Sequence, residues 1–279
     1  MLSCILTGIG AGMVLAAGNA VIAATANPQK MFAIVFAIGQ MQVAAMLIFL
    51  PELISLWAHS GIYGFLAAWT VLMLILLKLL PEEPTEPVVK DNSHSPINLK
   101  IFLLPSVLAM ILIGIGDSSL WTFQERIAYA LGLDQETIGL VLGGALLSGM
   151  LGASFAAVIG TRFGRVKPIV TGTLWMAISY LVITQTQSQS IYIAIELSYL
   201  FAYGFVIPYL FGLNGELDSS GGAMVAANGC NLVGISIGPI CAGYLIVESG
   251  YPAVGFGISL LALLAMSMYL LVIKKHFAD

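Results

Sequence analysis

Charge is scarce in this chain. Only 14 acidic and 10 basic residues occur among 279, or 9% in total, where soluble domains carry about 25%. With 59% hydrophobic residues and a mean hydropathy of +0.99, an ordinary water-soluble domain is excluded. The net charge of −4 says nothing about nucleic acid, and no basic cluster is dense enough to suggest a nucleic-acid partner, so none is expected. Cysteine is scarce too. Cys4, Cys230 and Cys241 sit in apolar surroundings, which suits free thiols filling space rather than a disulfide framework or a metal site. The three histidines, His59, His94 and His276, show no ligand spacing. No Walker loop, kinase signature or zinc motif is present, so a pump driven by bound ATP would need another subunit. No nucleophile–base set or metal cluster lies at a common depth. The expectation is therefore a protein that is not an enzyme and needs no cofactor.

Long hydrophobic runs fill the space that charge leaves. Nine candidate spans cover 2–25, 31–57, 61–80, 101–127, 137–160, 167–185, 190–213, 222–247 and 252–274. Each reaches the length of about 20 residues that crosses a bilayer. Only the break at 81–100 resembles an interdomain linker, with Pro84, Pro87, Pro96 and mixed charges. It divides the chain into three helices over 1–80 and six over 101–279. The first span follows Met1 without a basic flank or processing site, which argues against a signal peptide. Nine of the ten basic residues fall on or near one side, with Arg126 alone on the other. Basic residues favour the cytoplasmic side, so the linker and C-terminus are expected there and Met1 outside.

Small residues recur at helical spacing in Gly8, Gly12 and Ala16, and in Gly139, Gly143, Gly144, Gly149 and Gly152. Such stripes let transmembrane helices approach closely. The turn "GTRFGRVKP", Gly160–Pro168, carries Arg162, Gly164, Arg165 and Lys167. It resembles the short cytoplasmic signature of the major facilitator superfamily, with Thr161 at the usual acidic position and Ala157 at the usual leading glycine. "GISIGPICAG", with Gly234, Gly238 and Pro239, resembles the Gly-x-x-x-Gly-Pro motif found in antiporters of that superfamily. The glycines suit close packing, and Pro239 frees a carbonyl that can bend the helix. The resemblance implies an all-α polytopic membrane protein, a helical bundle with an incomplete first half. It aligns the nine spans with helices four to twelve of a twelve-helix transporter. On that alignment the chain lacks three helices and is expected to insert or transport poorly alone.

Polar residues inside apolar spans mark candidate transport groups. By helical rise, Asp117 lies roughly 24 Å from Ile101, in the outer part of the membrane. Asp117, Trp121 and Gln124 share an i, i+4, i+7 face, while Glu125 and Arg126 fall near the external boundary as gate or anchor. Tyr192, Glu196, Tyr199 and Tyr203 line another face, suited to an organic solute and to a cation or proton at Glu196. Asn228 and Asn231 offer hydrogen bonds to a solute. Glu52, after Pro51, suits a topology or gating role. Glu216 and Asp218 are placed to pair with Arg162 or Arg165 across a closure seam.

These residues and the resemblance imply secondary transport of a small organic solute by alternating access, coupled to protons. The expected surroundings are a lipid bilayer, in a bacterial inner or plasma membrane, with no obligate protein partner. The alternatives are an uncoupled facilitator and a truncated membrane interaction protein that transports nothing.

Overall fold

The computed structural model describes residues 2–23, 25, 27–77, 99–217 and 222–276. Within these residues the fold is entirely helical. The helices are α1 (Leu2–Ala23), α2 (Pro28–Leu77), α3 (Leu99–Ala130), α4 (Gln135–Ile159), α5 (Val166–Gln185), α6 (Gln189–Leu217) and α7 (Gly222–His276). In hydrocarbon a backbone must satisfy its own polar groups, and a helix does so within one segment. The linker at 81–100 lies almost wholly outside the described residues, with only Leu99 and Lys100 at the start of α3.

Five described helices are long and apolar enough to cross a membrane: Leu104–Ala130, Gln135–Ile159, Val166–Gln185, Gln189–Leu217 and Gly222–Lys274. Many of their large apolar side chains point outward, among them Leu151, Val158, Ile178, Ile240 and Val247. So much exposed apolar surface suits lipid rather than water.

Two pairs of expected spans merge. In α7 the helical run is continuous by hydrogen bonding, yet Gly250 takes φ 76° and ψ 177°. That left-handed geometry suits a residue without Cβ, and Pro252 follows it, so α7 is two helices joined at the expected break. In α2 the expected interruption at "AHSG" is absent, and 50 residues form one helix. None of those four residues is a proline, and one glycine costs a helix interior only about 1 kcal/mol. Among the described side chains, the first part of α2 packs on the bundle. Phe32 stacks on Phe211 with ring centroids 4.4 Å apart, and Gly212 of α6 lies against Gln29.

Close helix approach fixes the bundle. Between α3 and α7, Gly114 abuts the Asn231 carbonyl, Gly234 abuts the backbone of Ile111 and Ile115, and Gly238 abuts Ser118. The Asn231 amide donates to the Met110 carbonyl at 3.1 Å, and the Ser119 hydroxyl donates to the Gly238 carbonyl at 2.9 Å. The second half of α7 packs on α5, where the Ser259 hydroxyl donates to the Ala177 carbonyl at 2.8 Å. Gly149 and Gly152 of α4 meet Gly204 and Phe201 of α6 through their backbones. Between apolar helices in lipid, this packing and these hydrogen bonds replace the hydrophobic effect as the source of cohesion.

A candidate transport site between α3 and α6

Two side-chain contacts set the register of α3 against α6. The Tyr192 hydroxyl donates to the Gln124 carbonyl at 3.0 Å, and the Tyr199 hydroxyl donates to the Asp117 carboxylate. As the chain rises from 192 to 199, its partner falls from 124 to 117, so the helices are antiparallel. Glu196 therefore lies level with Leu120, roughly 5 Å along the axis from both Asp117 and Gln124. The result is a polar column, Gln124–Glu196–Asp117, about 10 Å long inside an apolar bundle.

Each member meets a different environment. Asp117 is half-buried and also receives the Tyr203 hydroxyl. Glu196 is fully buried, and neither carboxyl oxygen has a hydrogen-bond partner. The Gln124 amide is likewise buried with both polar atoms unpartnered. Isolated polar groups at such depth are costly, and an ionised carboxylate without a partner costs most. Glu196 therefore requires a proton, a cation or water.

Aromatic rings extend the site. Tyr180 of α5 lies 5.3 Å from Tyr199, which lies 6.3 Å from Tyr203. Phe36 of α2 follows at 6.0 Å, then Phe32 at 6.2 Å and Phe211 at 4.4 Å. Six rings thus run from Asp117 along the seam between α2 and α6. Tyr180, Phe36 and Phe32 are absent from the residues singled out in the sequence. For Tyr180 a signal existed: Thr173, Ala177, Tyr180 and Thr184 follow one α5 face, and all four are buried.

The remaining sequence candidates fall elsewhere. Trp121 is exposed although it follows Asp117 by one turn, so it lies outside the column. Glu125 and Arg126 are exposed, and the Arg126 guanidinium lies 5.5 Å from the centre of the Phe123 ring. Asn231 is tied to Met110 and Asn228 is half-buried on α7, so neither joins the column through a described contact. Gly234 and Gly238 form part of the α3–α7 contact surface, and Pro239 follows them half-buried on α7. Glu52 belongs to α2, and its side chain lies outside the described residues.

The basic turn closes one end of the bundle. Gly160 and Gly164 take φ of 56° and 72°, the left-handed conformation glycine permits. The Tyr209 hydroxyl donates to the Gly160 carbonyl at 2.8 Å, and Arg165 forms an ion pair with Glu216 at the end of α6. Arg162 and Lys167 are exposed, and Asp218 lies outside the described residues.

The major facilitator superfamily model matches residues 106–278, more than half of the chain and the region that builds the column, the basic turn and the α3–α7 contact. The chain belongs to the Major Facilitator Superfamily. It is also 25% identical over 223 residues to an uncharacterised MFS-type transporter, YceJ, of Bacillus subtilis (strain 168). That alignment covers 76% of this chain and 56% of the relative, so the chain spans about half the length of the curated relative it matches. Superfamily membership and five long apolar helices make this an integral membrane protein with a transporter fold rather than an enzyme.

Proposed function

We propose that the chain forms part of a secondary transporter that moves a small organic solute by alternating access, coupled to protons. The observation that carries this reading is Glu196, a fully buried carboxyl with both oxygens unpartnered, one helical turn from half-buried Asp117. An acidic side chain kept at membrane depth is expensive and is by default a functional group. Protonation neutralises it for burial, and release requires a path to water. Alternation of access supplies that path from each side in turn.

In this reading residues 1–80 belong to the first half of the transporter, 81–100 form a cytoplasmic linker and 101–279 form the second half. The seam between α2 and α6 lies between the halves. Its opening exposes Asp117, Tyr203 and Phe36, while its closure seals Gln29 and Phe32 against Gly212 and Phe211. The Arg165–Glu216 pair and the Tyr209–Gly160 bond stabilise the end that carries the basic turn. The membrane is the plasma membrane or a bacterial inner membrane.

The test is proton-coupled flux in vesicles containing the full-length protein, with Asp117→Asn and Glu196→Gln at matched abundance. Each substitution keeps side-chain size and removes reversible protonation. At least one is expected to uncouple proton movement from solute accumulation. Wild-type coupling in both variants would remove the carboxyls from the proton path and leave an uncoupled facilitator as the better reading.

A further inference from the structure

The transport reading leaves the chemical class of the solute open, and the charges in the bundle decide it. Two carboxyls, Asp117 and Glu196, lie inside the bundle one turn apart. None of the described basic side chains balances them. Lys30, Arg126, Arg162, Lys167 and Lys274 are exposed, and Arg165 is held by Glu216 at the end of α6. Lys90, Lys100 and Lys275 fall in or beside polar stretches of the sequence, and Lys78, near the linker end of the apolar run 61–80, lies outside the described residues. Among the described residues the site thus holds removable negative charge and no built-in counter-charge. An anionic solute would meet repulsion from either carboxylate, with no described cation to offset it.

The surroundings of Asp117 suit a cation in a second way. Its surroundings are aromatic: Tyr199 and Tyr203 on its own oxygens, Tyr180 behind them, and Phe36 beyond Tyr203 across the seam. Ring faces attract cations, more strongly where water is excluded. The described elements around the pair contribute aromatic or uncharged groups. From α5 comes Tyr180, and from α6 come Tyr192, Tyr199 and Tyr203. From α2 come Phe36 and Phe32, and α7 presents the uncharged Asn231 and glycines. Gln124 and Glu196 add four buried polar atoms without partners.

Building on the transport reading, the geometry points to an organic monocation with an apolar or aromatic body as the solute, exchanged for a proton at Asp117. The cationic centre sits against the carboxylate and the tyrosine rings. The body lies along the rings of Tyr203, Phe36 and Phe32, which are only partly buried and line the α2–α6 seam. Charge balances at each exchange: the cation enters as the carboxyl proton leaves to water, and a returning proton expels the cation. Glu196, fully buried, holds a second proton that keeps its own charge from competing with Asp117.

The experiment uses purified full-length protein in detergent, with tetraphenylphosphonium as cationic probe and benzoate as anionic probe. Tetraphenylphosphonium is expected to bind, to bind more tightly as pH rises, and to release protons into weakly buffered solution. Asp117→Asn should weaken that binding by about tenfold or more, as loss of a buried charge partner does, and abolish proton release. Asp117→Glu should restore both, which a merely structural role for Asp117 would not predict. Folding of each variant is checked by its thermal transition. Absence of tetraphenylphosphonium binding to folded wild-type protein overturns the assignment, as does binding that Asp117→Asn leaves unchanged. Benzoate binding without tetraphenylphosphonium binding, together with proton-coupled flux in vesicles, would reject the cationic solute and leave proton-coupled transport standing.

Discussion

At the scale of single residues, the polar groups divide between those that organise helix ends and those kept inside. Asp134 belongs to the first kind. It caps α4, accepting the Thr137 N–H at 3.0 Å and the Thr137 hydroxyl at 2.7 Å. Those two bonds hold its carboxyl below the ordinary aspartate range. A carboxyl whose folded value is depressed stabilises the fold above its unfolded value, and the contribution disappears as pH falls through the folded value. Asp134→Ala should therefore lower the thermal transition at neutral pH, and Asp134→Ser should recover most of the loss because serine also caps helices. The gap between wild type and Asp134→Ala should narrow as pH drops below the aspartate range. A gap that persists unchanged in acid would mean the carboxylate is not what matters. Glu196 is the opposite case. Its place on one face with Tyr192, Tyr199 and Tyr203 is legible from spacing alone, because spacings of four, three and four return to the same side of a helix. That Gln124 and Asp117 flank it is not legible, since the antiparallel register of α3 against α6 depends on contacts between residues 68 and 82 positions apart.

At the scale of helices, glycine does different work at different positions of α4 and its partner α6. An added methyl at Gly204 would meet the Gly149 carbonyl, and one at Gly152 would meet the Phe201 carbonyl, whereas Gly139 faces open space. Alanine raises helix propensity over glycine by about 1 kcal/mol, so Gly139→Ala should be neutral or stabilising. At Gly204 and Gly152 the backbone collision outweighs that gain. Overpacking should cost about 1–3 kcal/mol, lowering the thermal transition in detergent. Equal responses at all three sites would show that α4 and α6 do not meet at these glycines. The stripe itself is visible in the sequence, but which glycines touch a neighbour is not, because small size is only permission for contact. The same limit explains α2. Hydropathy and a glycine suggested a break at residues 58–61, yet nothing in those side chains forbids a helix, and the backbone continues. At Gly250 the local chemistry does enforce the break, through a left-handed glycine two residues before a proline.

At the scale of the molecule, contacts between helix ends sort the loops into two sets before any membrane is considered. The Gln189 amide donates to the Leu131 carbonyl at 2.8 Å, so the α3–α4 and α5–α6 connections share one end. Arg165 pairs with Glu216, and Gln29 lies against Gly212, so the basic turn, the end of α6 and the start of α2 share the other. Lys30, Arg162, Arg165 and Lys167 gather at this second end, and the preference of basic residues for the cytoplasmic side makes it the expected inner end. The polar column begins with Gln124 near the first end and reaches Asp117 deeper in the bundle. Glu196 lies between them, and both Gln124 and Glu196 are fully buried while Asp117 is half-buried. In a cysteine-free background of the full-length protein, a single cysteine at 134 or 187 should react with a membrane-impermeant maleimide in intact cells. One at 162 should react only after the membrane is opened. Labelling of position 162 from outside would invert the frame and turn the Gln124 end of the column toward the cytoplasm.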